Sequence, residues 1–219
     1  MSDSDSGRFA FYRPEVVFFR QSIERELAGF FQKNGLLELA DKKILEVGCG
    51  WGNWLILLMS WGARPENLFG IDVLPERIET ARQRLPKSEI VLGRAEKLNW
   101  SNSFFDLVFQ FTLFSSVVSA KARREMAAEV WRVLKPGGYF VSFDYFWANP
   151  NNPSTIGIGK KELQRLFPQA SFYFRRLGLA PPLARRIVPI SFSLAHFLEK
   201  TRILSGHYLA WTIKKEENG

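Results

Sequence analysis

The chain has 219 residues, one cysteine and a 46% share of apolar residues. This length accommodates a single α/β domain, and one cysteine excludes both an internal disulfide and a thiolate metal site. We find no signal-peptide core and no run of the ~20 apolar residues needed to span a bilayer. We therefore predict a cytoplasmic protein without a metal site.

The net charge of +8 is concentrated in the second half of the chain. Residues 121–219 contain 16 Lys and Arg against 7 Asp and Glu, whereas residues 1–120 contain 14 against 15. Such an excess could attract nucleic acid, an anionic membrane surface or an acidic substrate. A merely solvated basic face is the simpler interpretation.

A long helix is predicted from Pro14 to about Asn34. Proline fits the first turn, because its missing N–H would have no helical partner there. Apolar residues recur on one face at helical spacing. They are Phe19, Ile23, Leu27, Phe30 and Phe31.

Residues 44–55 form the most informative stretch. A short apolar run predicts a buried strand, Gly48, Gly50 and Gly52 follow, and an apolar helical face comes next. Glycines here let the chain turn with positive φ and let bare backbone lie against a ligand. A dinucleotide-binding turn has the spacing G-x-G-x-x-G, but the third glycine here comes one position early. Glu46 would repel a pyrophosphate yet would suit a ligand that carries an ammonium group.

The pattern E-x-G-x-G-x-G resembles the first motif of the class I S-adenosylmethionine-dependent methyltransferases. The second strand, predicted at residues 68–73, contains Asp72, 24 residues after Gly48. An acidic residue about 20 residues beyond a glycine turn accepts hydrogen bonds from ribose hydroxyls in nucleotide-binding βαβ units. Asp72 could also cap the helix that starts at Pro75, and the two roles are compatible.

A helix at residues 75–85 and a strand at residues 89–92 precede the string Gly-Arg-Ala-Glu-Lys-Leu at residues 93–98. This string resembles the family's G-D-A-E-x-L segment. Arg94 stands where the family has an acidic or amide residue that meets the adenine amino group. Arginine cannot accept a hydrogen bond, although its guanidinium could stack on the ring. The resemblance therefore implies adenine recognition by the Ala95 N–H, with Glu96 nearby.

Further strands are predicted at residues 107–111 and 139–143, with a helix at residues 119–134 between them. The string Leu-Lys-Pro-Gly-Gly at residues 134–138 ends that helix and is frequent in the same family. The resemblance covers roughly residues 40–146. It implies an α/β, Rossmann-like class I methyltransferase fold, with a seven-stranded, mostly parallel sheet, helices on both faces and an antiparallel edge strand.

The resemblance also implies one methyltransferase domain over residues 1–219, with S-adenosylmethionine as its cofactor. Its parts would be an N-terminal helical cap (1–38), a cofactor-binding core (40–146), substrate-side insertions (147–206) and the edge strand (207–215). The residues assigned to cofactor binding are Tyr12, Arg20, Glu46, Gly48, Cys49, Gly50, Asn53, Asp72, Val73, Arg94, Ala95, Glu96 and Gln110.

Beyond Asp144 the sequence leaves the family's common pattern. It has a loop rich in Asn, Pro and Gly, a short helix at residues 160–167 and a strand at residues 172–179. We expect residues 147–158 and 180–205 to build an acceptor pocket, because ligands of such sheets sit outside the carboxyl ends of the strands. Alternatively, residues 180–205 form a helix that closes the core, or a dimer interface.

Methyl transfer from a sulfonium mainly requires an aligned acceptor and exclusion of water, and a base helps when the acceptor is a hydroxyl. Asp144 and His207 are the candidate catalytic residues because both lie at predicted strand ends. Each also has a structural interpretation. Asp144 would cap a loop, and His207 would be an ordinary strand residue.

The sequence thus favours a biosynthetic transferase that methylates an oxygen or nitrogen of a small-molecule or glycan acceptor. An RNA methyltransferase is an alternative that the basic second half permits. We find no RNA-binding module or nucleic-acid methylase motif, which argues against a nucleic-acid partner. A non-catalytic, cofactor-binding partner protein is a third interpretation. Peripheral membrane contact and a homodimer are left open.

Overall fold

The computed structural model describes residues 12–147, 152 and 154–216. The helices are α1 (Pro14–Lys33), α2 (Asn53–Ser60), α3 (Pro75–Arg84), α4 (Leu113–Ser116), α5 (Ala120–Val133), α6 (Lys160–Leu166), α7 (Pro181–Ile187) and α8 (Phe192–Thr201). The strands are β1 (Ile44–Val47), β2 (Leu68–Asp72), β3 (Glu89–Leu92), β4 (Phe105–Phe111), β5 (Leu134–Tyr145), β6 (Tyr173–Leu179) and β7 (Ser205–Ile213).

The seven strands form one mixed sheet in the order β3-β2-β1-β4-β5-β7-β6. Strands β1 to β5 pair in parallel. The amide of Gly137 donates to the Lys214 carbonyl and the amide of Lys214 donates to the Gly138 carbonyl, at 2.7 and 2.9 Å. This reciprocal pairing of the start of β5 with the residue after β7 is antiparallel. The expected Rossmann-like methyltransferase fold is confirmed.

Two details of the sheet differ from the sequence-based expectation. The strand expected at the edge, residues 207–215, corresponds to β7. It lies between β5 and β6, so β6 is the edge strand on that side of the sheet. Strand β5 begins at Leu134, five residues before the predicted start, because Leu134 pairs with Phe105 ahead of an irregularity in the β4–β5 register.

The described residues group into two compact units. One contains α1 and Arg175–Leu209, and its apolar core consists of Phe18, Leu179, Ala184, Val188 and Ala195. The other contains Leu37–Phe174 and the residues from Ala210 onward. Its central strands β1 and β2 are buried along their whole length, as expected for parallel strands that are covered on both faces.

The N-terminal helix therefore shares a unit with most of the stretch that we expected to be a substrate-side insertion. Residues 180–205 contain two helices, α7 and α8, in agreement with the helical alternative. None of the helices in the described part of the chain has both the length and the hydropathy to cross a bilayer.

Candidate cofactor site

The glycine turn between β1 and α2 has the backbone conformation that its sequence predicts. Gly48, Gly50 and Gly52 have φ values of 76°, 53° and 75°. The amides of Gly48 and Cys49 donate to the carbonyl of Ile71 at 2.8 and 3.0 Å. The turn is therefore fastened to β2, and its conformation needs residues without a Cβ.

The three glycines differ in what surrounds them. A Cβ on Gly48 would lie 3.0 Å from Cδ1 of Leu113, and one on Gly52 would lie 2.9 Å from Cδ1 of Leu85. A Cβ on Gly50 would meet no described heavy atom within 4 Å. Packing thus explains two of the glycines, whereas Gly50 presents bare backbone to open space.

Asp72 fixes this turn from the end of β2. Its Oδ2 accepts a hydrogen bond from the Gly50 amide and its Oδ1 accepts one from the Leu74 amide, both at 3.0 Å. The structural role that the sequence suggested for Asp72 is therefore present. Since each carboxylate oxygen has two lone pairs, both oxygens can accept a further hydrogen bond from a ligand.

Glu46 is a buried carboxyl group within β1. Burial raises its pKa well above the ordinary value, and the nearby charge of Asp72 adds to this, while a hydrogen bond from the Leu55 backbone opposes it. Among the described residues, its Oε2 has no hydrogen-bond partner. Buried polar atoms are nearly always paired, so this oxygen beside the glycine turn indicates a donor supplied by a ligand.

The neighbouring residues Cys49 and Asn53 are held by the protein itself. Cys49 is buried, and burial raises the pKa of its thiol, so the thiol is unreactive. Nη1 of Arg84 donates a hydrogen bond to Oδ1 of Asn53 at 2.7 Å. It also donates to the Trp51 carbonyl at 2.8 Å. Arg84 therefore supports the start of α2.

The loop after β3 contains the departure from the family pattern. The Arg94 side chain is 74% exposed, and its Nη2 lies 2.6 Å from Oε1 of Glu96. Ala95 between them is buried. The arginine thus forms an ion pair with the next acidic residue of the loop. Val73, another residue assigned to the cofactor, is exposed after β2.

Gln110 and Asp144 join the ends of β4 and β5. Nε2 of Gln110 donates to Oδ2 of Asp144 at 2.9 Å and to the Ser142 hydroxyl, while Oε1 of Gln110 accepts from the Leu113 amide at 2.8 Å. Oδ1 of Asp144 accepts from the Ser115 amide at 3.3 Å. Both side chains are buried, so they fix the turn between β4 and α4.

Burial raises the pKa of Asp144 to about 7, although the hydrogen bonds from Ser115 and Gln110 oppose the rise. A carboxyl group with this pKa can exchange a proton near neutrality. Both of its oxygens are engaged inside the turn. For Asp144 to be catalytic, the hydroxyl of the methyl acceptor must therefore replace one of these internal hydrogen-bond donors.

Three assigned residues lie in the unit that contains α1. The His207 ring is fully buried, with its centroid 4.6 Å from that of Phe19, and burial lowers its pKa to about 3. His207 is therefore a neutral core residue at physiological pH. Tyr12 is exposed, and Arg20 forms an ion pair with Glu24 at 3.3 Å. The roles assigned to these three residues rest on the sequence alone.

Sequence reasoning missed an aromatic pair and a turn residue at the end of β4. The Trp54 and Phe111 rings are stacked, with centroids 4.4 Å apart and planes inclined by 18°. Thr112 adopts a positive φ of 58°, which is uncommon without glycine. Helix α4 has only four residues, so no periodic pattern in the sequence could predict it. Among the described residues, no group of three or more His, Cys, Asp or Glu is arranged to hold a metal.

Comparison with known proteins relates this site to a family. Residues 44–138 match the family described as a methyltransferase domain. A phthiotriol/phenolphthiotriol dimycocerosates methyltransferase of Mycobacterium leprae is 32% identical over 132 residues, which are 59% of this chain and 47% of the relative. The chain thus spans about half the length of the curated relatives that it matches.

Two solved structures illustrate the likeness of fold. The PH0226 protein of Pyrococcus horikoshii superimposes with a TM-score of 0.68 at 18% identity, over 98% of this chain and 100% of that chain. A geranyl diphosphate C-methyltransferase from Streptomyces coelicolor, determined with Mg²⁺, geranyl diphosphate and S-adenosyl-L-homocysteine, gives 0.64 at 12% identity, over 87% and 77%. Residues 44–138, which contain the glycine turn, thus match a methyltransferase-domain family, and both solved structures share the fold of this chain.

Proposed function

We propose that the chain is an enzyme that transfers a methyl group from S-adenosylmethionine to an oxygen or nitrogen of a small-molecule or glycan acceptor. The observation that carries the proposal is the buried Oε2 of Glu46, which has no hydrogen-bond partner among the described residues, next to a turn in which Gly50 presents bare backbone. A ligand with an ammonium group and a ribose matches both features. A pyrophosphate would be repelled by the carboxyl groups of Glu46 and Asp72.

Each part of the cofactor has a proposed partner in the unit that contains Leu37–Phe174. Glu46 would accept hydrogen bonds from the ammonium group, Asp72 from the ribose hydroxyls, and the Ala95 amide and Glu96 would face the adenine. Gly48 and Gly50 would present backbone to the ligand. Five further residues assigned from the sequence would contribute secondary contacts. They are Cys49, Asn53, Val73, Arg94 and Gln110.

The protein's own contribution to the reaction would be alignment and exclusion of water. S-adenosylmethionine supplies a methyl group that its sulfonium already activates. Alignment would depend on the glycine turn after β1 and on the turn after β4. Asp72 holds the first by accepting a hydrogen bond from the Gly50 amide, and Gln110 holds the second by accepting one from the Leu113 amide. Preorganised positioning of this kind can contribute ~7 to 11 kcal/mol to a bimolecular reaction.

Proton removal from a hydroxyl acceptor remains assigned to Asp144 or His207. The pKa of Asp144 near 7 favours this residue, because the pKa of His207, lowered to about 3, makes it a weaker base. Asp144 would act after one of its internal hydrogen bonds had been exchanged for one from the acceptor. An acceptor whose nucleophile needs no deprotonation would leave Asp144 as a positioning residue.

The residues at the carboxyl ends of β4 and β5 support an acceptor with an apolar face. Phe111 and Tyr145 are the last residues of these two strands. Phe146 and Trp147 follow β5, and Trp147 is exposed. Ligands of open α/β sheets lie outside these strand ends. The Mycobacterium leprae relative is named for phthiotriol and phenolphthiotriol dimycocerosates, which is consistent with a small-molecule acceptor rather than RNA. Residues 148–151 and 153, part of the expected pocket, lie outside the described residues.

Methyl-labelled cofactor tests the proposal directly. The full chain is incubated with labelled S-adenosylmethionine and with source-cell extract separated into organic-soluble, water-soluble small-molecule and glycan, and RNA fractions. We expect label in one of the first two. Label in RNA alone would replace the proposed acceptor class. Binding of S-adenosylhomocysteine without transfer to any fraction would support the non-catalytic alternative. A cytoplasmic, biosynthetic role belongs to the same proposal.

A further inference from the structure

Helix α8 carries large apolar side chains on its outward face. Ile190, Leu194 and Phe197 are spaced i, i+4 and i+7, with Ile190 in the turn that precedes the helix, and they are 85%, 49% and 67% exposed. We call these three residues the outer stripe. On the opposite face, Ala195 and Glu199 are buried. A continuous apolar face differs from the scattered surface residues that need no explanation, and it indicates an interaction site.

Basic residues precede and follow the outer stripe in the sequence. Arg185 and Arg186 are exposed in the last turn of α7, and Lys200 is exposed one turn beyond Phe197. Residues 181–204 contain four Lys and Arg and a single acidic residue, Glu199. The Glu199 carboxylate forms an ion pair within the protein, because its Oε2 lies 2.8 Å from Nη2 of Arg25.

A basic cavity of about 290 Å³ opens on the other side of the same helix, where Glu199 lies, and adds to the positive charge of this unit. Four cationic side chains line it, against Glu26 and Glu199. Glu26 is already paired with Arg175 at 3.2 Å and Arg202 at 3.1 Å, and Glu199 with Arg25. In the described part of the chain Lys200 has no ion pair, so the lining retains positive charge. The four cations are Arg25, Arg176, Lys200 and Arg202.

We propose that the outer stripe and the basic residues Arg185, Arg186 and Lys200 form a peripheral membrane-binding surface for an anionic bilayer. The stripe would enter the boundary between headgroups and acyl chains, and the three cations would meet the anionic headgroups. An apolar helix face beside Lys and Arg is the combination that favours anionic membrane surfaces. This surface lies within one unit of the chain, and its occupation goes beyond the proposed methyl transfer.

Charge argues against a second copy of the chain as the occupant. A two-fold contact places the same patch of both copies together. Two outer stripes in contact would therefore bring Arg185, Arg186 and Lys200 near their own counterparts, without an exposed carboxylate in residues 181–204 to compensate. Like charges at an interface oppose association, whereas anionic headgroups would neutralise them.

Flotation of the full chain with lipid vesicles tests this proposal. We expect binding to vesicles of equal parts phosphatidylcholine and phosphatidylglycerol, little binding to phosphatidylcholine alone, and weakening by salt. The double variant Leu194→Ser/Phe197→Ser should reduce partitioning at least about tenfold, since buried apolar area drives insertion. Arg185→Gln and Arg186→Gln should each reduce it about fivefold. Leu37→Ser/Val118→Ser is the matched control, because these side chains are 70% and 55% exposed in the other unit.

Three results would overturn the proposal. They are equal binding to neutral and anionic vesicles, unchanged binding of Leu194→Ser/Phe197→Ser, and absence of binding by the unmodified chain. If light scattering shows instead that this variant converts a dimer to a monomer, the stripe is a contact between copies. Circular dichroism melting verifies folding of each variant. Calorimetric titration with S-adenosylhomocysteine separates the two proposals, because we expect the same affinity for every vesicle variant.

Discussion

Nε2 of Gln110 donates a hydrogen bond to Oδ2 of Asp144 at 2.9 Å, which links the carboxyl ends of β4 and β5. The Ser115 amide donates to the other carboxylate oxygen. An asparagine has one acceptor oxygen and one donor nitrogen, so Asp144→Asn would face one of these donors with another donor. We expect a loss of ~1 to 3 kcal/mol in the free energy of unfolding, measured by urea denaturation. Asp41→Asn, at an exposed side chain, should have little effect.

The same variant should change the pH dependence of stability. Because the folded pKa of Asp144 is raised from 3.8 to about 7, the folded protein binds the extra proton between these values. The stabilising contribution is complete below pH 3.8 and is lost as the pH rises through about 7. Asp144→Asn should therefore flatten the decline of stability between pH 4 and 7. An unchanged slope would contradict the raised pKa.

The backbone of Gly50 allows a sharp test of cofactor placement. Gly50 and Gly62 both have positive φ, 53° and 100°, and a Cβ on either would meet no described heavy atom within 4 Å. Alanine should therefore strain the backbone by ~1 to 2 kcal/mol at Gly50, and by more at Gly62, whose φ lies outside the left-handed α region. We expect Gly50→Ala to lose S-adenosylhomocysteine affinity at least tenfold in calorimetric titration. If Gly50→Ala and Gly62→Ala bound S-adenosylhomocysteine with equal affinity, the proposed placement of the ligand at this turn would be wrong.

Replacement of Asp72 should weaken the cofactor complex. Asp72→Ala removes the proposed acceptor of the ribose hydroxyls and also the internal acceptor of the Gly50 amide. Charge-assisted hydrogen bonds of this kind are worth ~1.5 to 3 kcal/mol, so calorimetry should show an affinity roughly ten- to a hundredfold lower. Asp41→Ala provides the exposed control. Full affinity of Asp72→Ala would contradict the proposed site.

Arg94 is expected to support the adenine end of the site, either by stacking or by holding Glu96. Arg94→Asp restores the residue type usual in the family but places a second negative charge beside Glu96, in place of the 2.6 Å ion pair. We therefore expect weaker binding of S-adenosylhomocysteine. A clear gain of affinity would mean that the arginine has no part in adenine recognition. Arg64→Asp, at an exposed ion pair with Asp41, controls for the charge change.

His207 should make the fold sensitive to acid. Its folded pKa is lowered from 6.5 to about 3, so its contribution to stability is present above pH 6.5 and is lost as the pH falls toward 3. His207→Phe keeps a ring against Phe19 without this titration, and should be more stable than the unmodified chain near pH 4. The other histidine, His196, is 43% exposed at its side chain. His196→Gln, compared by urea denaturation at pH 4 and pH 7, is the control for loss of a partly exposed histidine.

Local sequence signals located most of the strands and helices. The apolar runs at residues 44–47 and 89–92 gave the limits of β1 and β3, and Pro14 marked the start of α1. The early start of β5 was missed, because it depends on pairing of Leu134 with Phe105. The position of β7 inside the sheet likewise depends on strand neighbours that no local pattern encodes.

The candidate site shows the same division between local and distant information. Gly48, Gly50 and Asp72 could be located because a turn and a strand end impose fixed spacing. The hydrogen bonds of Gln110 could not, since its partner Asp144 lies 34 residues away on another strand. Burial of His207 was also hidden, because the residue follows no apolar alternation that distinguishes it from an edge position.

The buried thiol of Cys49 gives the glycine turn a built-in chemical reporter. It is the only cysteine of the chain, and a Cβ on Gly70 would lie 2.8 Å from its Sγ, so β2 closes over it. Thiol reagents can therefore modify the protein only when β2 and the turn separate. The rate of labelling measures how often the turn opens, without mutation or an attached probe. A ligand seated on Gly50 would slow that rate in proportion to its occupancy.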